Sequence, residues 1–134
     1  MDDEKYYYTW EQFDKDIETL ADEIKFIPQL IIGITRGGLI PAVALSHKLK
    51  VPMTTTTWQD RDGGIKEKIF IPDHTLVVDD INDTGHTFRG VTSGFNTKFH
   101  TLALWERKKS KFSVDFYARG CDTDWIVFPW EEDE

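Results

Sequence analysis

An amphipathic helix is predicted near the start of the chain. Its apolar positions lie three or four residues apart and would share one face. They are Phe13, Ile17, Leu20, Ala21 and Ile24. Thr9 and Gln12 have the spacing of a capping box, in which two side chains bind backbone amides of the first turn. We therefore expect the helix to begin after Thr9 and to end before Pro28.

Short apolar or β-branched runs predict the strands of a sheet. The predicted strands are Leu30–Ile34, Val51–Thr57, Thr75–Val78 and His100–Trp105. One helix is expected from about Pro41 to Lys50, and another after the polar loop that follows Val78. This alternation predicts an α/β fold with a mainly parallel sheet flanked by helices, whose ligand lies at the carboxyl ends of the strands.

Two further segments have less regular patterns. Trp58–Glu67 is polar and contains adjacent glycines, which predicts a mobile loop or hairpin that could close over a ligand. Trp125–Trp130 is aromatic and contains a proline, which favours a sheet edge or a cover. A chain of 134 residues is expected to form one domain, spanning residues 1–134.

Composition and charge exclude several classes of protein. The net charge of -8 disfavours nucleic acid as a partner, and no apolar run approaches the ~20 residues of a membrane span. The acidic start does not resemble a secretory signal, so a cytoplasmic protein is expected. Cys121 is the single cysteine, which rules out an internal disulfide and makes a zinc site or a nucleophilic role improbable.

Two polar loops follow predicted strands and carry candidate chemistry. The loop Asp83–Thr87 precedes a helix and contains a glycine and two threonines, which favours binding of a phosphate through backbone amides and hydroxyls. Asp79 and Asp80 come immediately before it and would repel a phosphate unless they engage sugar hydroxyls or a divalent cation. Thr35–Gly38 could hold a second anion. A ligand with two phosphate groups, a diol and a metal fits this arrangement, as in 5-phosphoribosyl-1-pyrophosphate (PRPP).

The run Val77–Thr87 resembles the PRPP-binding signature of type I phosphoribosyltransferases, and Ile34–Pro41 resembles the pyrophosphate loop of those that act on 6-oxopurines. Trp125–Glu131 is similar to their C-terminal hood. The resemblance implies the type I phosphoribosyltransferase fold, with a small hood formed by about residues 112–134 and the N-terminal segment. It also implies transfer of the phosphoribosyl group from PRPP to hypoxanthine, guanine or xanthine, with Mg²⁺ and as a homodimer or higher homo-oligomer.

The resemblance also implies roles for individual residues. Pyrophosphate would be bound by Thr35, Arg36 and Gly37, and the 5′-phosphate by Asp83, Thr84, Gly85, His86 and Thr87. The ribose hydroxyls and the metal would be bound by Asp79 and Asp80, with Glu131 as a second metal position. Asp83 would accept the proton of the base, and Arg36 would stabilise the leaving pyrophosphate. The base would contact Trp125 by stacking, and the carbonyl of Ile126.

One position departs from the family pattern. The family usually places a lysine after the fourth strand to contact the purine 6-oxo group, whereas Arg107 occupies that register here and Lys108 is the alternative. Three other functions stay open at this point. They are transfer to a different base by the same fold, non-catalytic sensing of PRPP or nucleotides, and phosphotransfer through Asp79 or Asp80.

Overall fold

Strands and helices alternate along the chain. The computed structural model describes residues 4–57 and 71–132, and the predicted loop Trp58–Glu67 lies outside them. The elements in order are β1 (Lys5–Tyr7), α1 (Trp10–Glu23), β2 (Leu30–Thr35), α2 (Leu39–Leu49), β3 (Met53–Thr57), β4 (Thr75–Asn82), α3 (His86–Thr92), β5 (Phe99–Arg107), β6 (Phe116–Cys121) and β7 (Trp125–Val127).

The main sheet has five strands in the order β3-β2-β4-β5-β6, and each pairing is parallel. Parallel strands end at the same edge, so the loops after β2, β4 and β5 lie side by side. A separate two-stranded sheet pairs β1 with β7, with Lys5 opposite Trp125. The predicted α/β fold with a mainly parallel sheet is confirmed.

The central strands of the main sheet are buried on both faces. Leu76 and Val78 of β4 pack in one apolar cluster with Leu20 of α1 and Leu45 of α2. Val77, between them, joins a second cluster on the opposite face, which contains Phe88 of α3. Successive residues of a strand point to opposite faces, so this continuous apolar run is covered by helices on both sides.

Several predicted elements are confirmed by the structure. The capping box is present, because Thr9 Oγ1 accepts from the amide of Gln12 at 3.0 Å and Gln12 Oε1 accepts from the amide of Thr9 at 3.1 Å. The helix α1 ends at Glu23, ahead of Pro28. In the part of the chain that the structure describes, none of the helices is long and apolar enough to cross a membrane.

Three features differ from the sequence prediction. Strand β4 continues through Asn82, so Asp79 and Asp80 lie in the strand, where pairing with β5 extends the ladder. Strands β1 and β6 were not predicted, since β1 has only three residues and β6 has no regular apolar pattern. Residues 116–121, within the range expected for the hood, form a strand of the main sheet; the name hood is used below for β1, β7 and the segments that adjoin them.

A buried polar contact joins the hood to the main body. Tyr8 follows β1 and donates its hydroxyl hydrogen to Asp16 of α1 at 2.5 Å. Arg119 of β6 pairs with the same carboxylate, with Nε 2.7 Å from Oδ2. Burial, followed by the hydrogen bond to Asp16, raises the pKa of Tyr8, so its hydroxyl remains a donor. These contacts fix the hood relative to the end of the sheet.

Candidate functional site

The loop after β2 touches strand β4 near the carboxyl edge of the sheet. A Cβ atom added to Gly37 would overlap the Asp80 carboxylate, and one added to Gly38 would overlap the carbonyl oxygen of Val78. A side chain at Gly37 would therefore displace the Asp80 carboxylate, and one at Gly38 would push the loop away from β4. The hydroxyl of Thr35 is bound to β3, donating to the carbonyl of Thr56 at 3.1 Å. The peptide bond between Thr35 and Arg36 is cis.

Asp79 and Asp80 form a carboxylate pair that is largely buried. Burial, and then the charge of Asp80, raises the pKa of Asp79 well above its ordinary value. Burial also raises the pKa of Asp80, although hydrogen bonds lower it in part, and the charge of Glu131 raises it further. Asp79 Oδ1 accepts from the amide of Asp80 at 2.9 Å, and Asp80 Oδ1 from the amide of Ile81 at 2.8 Å.

These carboxylates fit a divalent cation of the oxygen-binding kind. Within residues 4–57 and 71–132, no lysine, arginine or histidine forms an ion pair with either of them. Buried carboxylates normally have a cationic partner, and Mg²⁺ is often bound through one or two carboxylates plus oxygens of the substrate. The same described residues contain no set of three His, Cys, Asp or Glu side chains placed to hold a metal. A cation at Asp79 and Asp80 would thus need ligands from water or substrate.

Glu131 lines a neighbouring cavity together with Asp80. That cavity has a volume of about 780 Å³, and its lining includes Arg36, Gly37, Asp80, Trp130 and Glu131. Glu131 Oε1 accepts from the amide of Phe128 at 2.9 Å. The structure therefore brings Arg36 and Glu131 to the Asp80 side of the site, but it does not group Glu131 with Asp79 and Asp80 as a set of metal ligands.

The loop after β4 forms a small concave pocket. Its volume is about 160 Å³, and its lining includes the two aspartates, Asp83, Thr84, Gly85 and Thr87. Gly85 has a φ of 96°, a conformation that favours glycine, and helix α3 begins at the next residue. The Thr84 hydroxyl accepts from the amide of His86 at 3.2 Å. The loop Asp83–Thr87, which the sequence predicts to bind phosphate, therefore forms a concave pocket beside Asp79 and Asp80.

A third cavity joins the phosphate loop to the hood. It has a volume of about 630 Å³, and it is lined by Asp83, Thr84, His86, Arg107 and Trp125 among others. Trp125 is 60% exposed, so its side chain is accessible. Asp83 and Thr84 also line the small pocket, and Asp80 lines both that pocket and the Arg36 cavity. The three cavities are therefore neighbours that share lining residues.

Ile126 lies beside this site with its side chain buried. The amide of Trp125 bonds to the carbonyl of Glu4, and the carbonyl of Val127 accepts from the amide of Tyr8. Alternate residues of a strand turn their backbone groups to opposite sides, so the carbonyl of Ile126 faces away from β1. The backbone oxygen of Ile126 therefore forms no hydrogen bond in the β1–β7 pairing.

Arg107 and Lys108 occupy different environments. The Arg107 guanidinium pairs through Nε with Asp83 Oδ1 at 2.6 Å, and Nη1 donates to the carbonyls of Asp122 at 2.8 Å and Asp124 at 2.9 Å. Lys108 is exposed, with Nζ 3.6 Å from Asp122 Oδ2, and it does not line the cavity. Of the two alternatives, the structure places Arg107 beside Asp83 and Trp125.

Comparisons with known proteins agree with this geometry. The family model for the phosphoribosyl transferase domain matches residues 4–134. The xanthine-guanine phosphoribosyltransferase of Chromohalobacter salexigens is 30% identical over 138 residues, covering 96% of this chain and 85% of that protein.

Two solved structures show the same fold. The purine phosphoribosyltransferase from Pyrococcus horikoshii superimposes with a TM-score of 0.83 at 32% identity, covering 98% of this chain and 96% of that one. The Helicobacter pylori xanthine-guanine-hypoxanthine phosphoribosyltransferase gives a TM-score of 0.80 at 25% identity, covering 95% and 94%. The chain belongs to the phosphoribosyltransferase family.

Proposed function

We propose that this protein transfers the 5-phosphoribosyl group from PRPP to a 6-oxopurine, namely hypoxanthine, guanine or xanthine, giving the nucleoside 5′-monophosphate and pyrophosphate. The observation that carries this proposal is a single cavity whose lining includes both Thr84 of the predicted phosphate loop and the exposed Trp125. The relative from Chromohalobacter salexigens is named for two of these bases and that from Helicobacter pylori for all three.

The 5′-phosphate and the pyrophosphate of PRPP would occupy two of the three cavities, and the base would occupy the third. The 5′-phosphate would lie in the small pocket, bound by Asp83, Thr84, Gly85, His86 and Thr87, chiefly through backbone amides. The ribose hydroxyls would lie above the two aspartates. The pyrophosphate would lie in the neighbouring cavity against the Thr35–Gly37 backbone, where the Arg36 guanidinium opposes its charge. This order puts C1′ between the carboxylates and the base cavity.

The base would be bound between the hood and Asp83. Trp125 would stack on the purine, and the free carbonyl of Ile126 would accept from its amide edge. Arg107 would donate to the 6-oxo group through Nη2, the guanidinium nitrogen that makes no hydrogen bond within the described residues.

Asp79 and Asp80 would hold Mg²⁺ together with oxygens of PRPP, and Glu131 is a second candidate ligand. When bound, the ion would offset the negative charge that develops on the departing pyrophosphate. The two carboxylates are largely buried and have no cationic partner within residues 4–57 and 71–132, which supports this assignment. The same residues would orient the ribose hydroxyls.

Asp83 would accept the proton that the base loses. As C1′ separates from pyrophosphate, a ring nitrogen of the base attacks it and must lose a proton, which the Asp83 carboxylate can accept. Arg107 Nε, 2.6 Å away, fixes the orientation of that carboxylate. Arg36 and the loop amides stabilise the leaving group.

Two broader expectations belong to the same proposal. A homodimer is supported by Leu39 and Val43, apolar residues of α2 that remain exposed beside the pyrophosphate loop. A cytoplasmic location fits a substrate that is made and used inside the cell. Transfer to another base is the main alternative, because Arg107 donates with a different reach from the family's lysine.

Incubation with PRPP, Mg²⁺ and single free bases tests the proposal directly. We expect pyrophosphate release with at least one of hypoxanthine, guanine and xanthine, and none in the absence of a base. Release with adenine or orotate alone would show a different base specificity. PRPP binding without release for any base would favour a sensor, and covalent labelling of the protein by phosphate would favour phosphotransfer; either result would contradict transfer to a 6-oxopurine.

Asp83→Asn should lower kcat by about 100-fold or more, the usual contribution of a positioned proton acceptor, while the affinity for PRPP changes little. Asparagine keeps the size of the side chain but cannot accept the proton. Steady-state kinetics with varied PRPP and the best base measure both quantities. Equal losses in kcat and in PRPP affinity would refute the role of Asp83 as proton acceptor.

Asp79→Asn should stabilise the fold at neutral pH when no divalent cation is present. Because the pKa of Asp79 is raised in the folded state, its favourable contribution exists when the carboxyl is protonated and is lost as pH rises through the raised pKa. We expect a gain on the order of 1 kcal/mol by urea unfolding in EDTA near neutral pH, which shrinks as pH falls through the raised pKa of Asp79 and is absent below about pH 4. Asp73→Asn, an exposed control just before β4, should give no gain. Equal or lower stability of Asp79→Asn would contradict the prediction.

A further inference from the structure

The connection between β5 and β6, residues 108–115, packs against the phosphate loop; we refer to it as the β5–β6 segment. The amide of Lys111 donates to the carbonyl of Thr84 at 3.2 Å. A Cβ atom on Gly85 would lie 2.8 Å from the amide nitrogen of Phe112, so the two backbones are in direct contact. The Phe112 ring is parallel to that of Phe88 in α3, with centroids 5.9 Å apart. The segment thus forms a wall behind the predicted 5′-phosphate site.

Glu106 holds this segment in place from the end of β5. Its Oε1 accepts from the amide of Val114 at 2.8 Å, and its Oε2 from the hydroxyl of Ser113 at 3.3 Å. The same Oε1 accepts from Asn82 Nδ2 at 2.8 Å. One carboxylate therefore connects the segment to the last residue of β4, which directly precedes Asp83.

Asn82 is a polar side chain in a buried position. Only 1% of its surface is exposed, and Nδ2 also donates to the carbonyl of Phe112 at 2.5 Å. Its Oδ1 has no hydrogen-bond partner among the described residues. Burying an amide oxygen without a hydrogen bond costs free energy, and an apolar residue of similar size would avoid this cost. The buried side chain of Asn82 therefore requires an explanation. Its two donated hydrogen bonds both reach Glu106 or the β5–β6 segment.

We propose that Glu106 and Asn82 are positioning residues for the 5′-phosphate of PRPP, since they lock the β5–β6 segment against Thr84 and Gly85. This inference rests on the proposed function; Asn82 also lines the small pocket, whereas Glu106 does not. Arg89 provides a second brace, donating from Nη2 to the carbonyl of Lys111 at 3.0 Å. These hydrogen bonds hold the backbone amides of the phosphate loop in the arrangement that a bound phosphate requires.

The expected kinetic signature is specific. The 5′-phosphate is bound in the same way before and during the transfer. A more mobile phosphate loop would therefore weaken binding in the ground state and in the transition state by the same amount. Loss of such uniform binding raises KM and leaves kcat nearly unchanged. The base would be bound by Trp125 and Arg107, whose side chains form no hydrogen bond with Glu106 or the β5–β6 segment among the described residues, so the KM for the base should not change.

Glu106→Ala should raise the KM for PRPP about tenfold, with kcat and the KM for the base within about twofold of wild type. Glu106→Gln keeps an Oε1 acceptor for Asn82 and Val114 and should restore the KM to within about threefold. If Glu106→Ala does not fold, Glu106→Asp, which is one methylene shorter, tests the same contacts and should raise the KM several-fold.

Asp115→Ala is the matched control. Asp115 Oδ2 accepts from the amide of Thr101 at 2.9 Å and from its hydroxyl at 3.2 Å, at the opposite end of the same segment. It should lower thermal stability as Glu106→Ala does, without changing the KM for PRPP. An unchanged KM for PRPP in Glu106→Ala, or an equal rise in Asp115→Ala, would overturn the inference.

Failure of the proposed function can be recognised separately. If the wild-type protein releases no pyrophosphate with any base, the proposed reaction is wrong. Calorimetric titration with PRPP then compares wild type, Glu106→Ala and Asp115→Ala without turnover. Weaker binding in Glu106→Ala alone would support the positioning role, and equal affinities for the three proteins would refute it.

Discussion

The site depends on two buried carboxylates that have no cationic partner among the described residues. Asp79 and Asp80 lie near the end of a central strand, and burial raises the pKa of both. Burying such groups without compensation lowers stability, and under the proposed function a ligand would complete the charge balance. A sugar diol with a divalent cation supplies both hydrogen-bond donors and positive charge, and PRPP with Mg²⁺ is a ligand of this kind.

The rest of the site is arranged around that pair by close backbone contacts. Gly37 leaves room for the Asp80 carboxylate, and Gly85 for the backbone of Phe112. Gly37 and Gly38 let the loop after β2 approach strand β4, and Gly85 lets the β5–β6 segment approach the loop after β4. Under the proposed function, the two anion-binding loops would lie next to the carboxylates, and Trp125 of the hood would bind the base in a cavity that Asp83 also lines.

Much of the fold and of the candidate site could be predicted from the sequence, because the patterns that indicate them involve residues close together in the chain. The spacing of Thr9 and Gln12 sets the start of α1, and the run from Asp79 to Thr87 keeps strand, carboxylates and phosphate loop contiguous. Strand β6 could not be predicted, because it is defined by pairing with β5 and not by its own pattern. The role of Glu106 depends on Asn82, 24 residues away, and on the path of the β5–β6 segment. Only the fold brings these groups together.

The central claim is that the carboxylate pair and the phosphate loop bind PRPP through a divalent cation. Isothermal titration calorimetry of the protein with PRPP, in Mg²⁺ and again in EDTA, measures this most directly. We expect saturable binding in Mg²⁺ and much weaker binding in EDTA. Absence of binding in Mg²⁺, or equal affinity under both conditions, would contradict the claim.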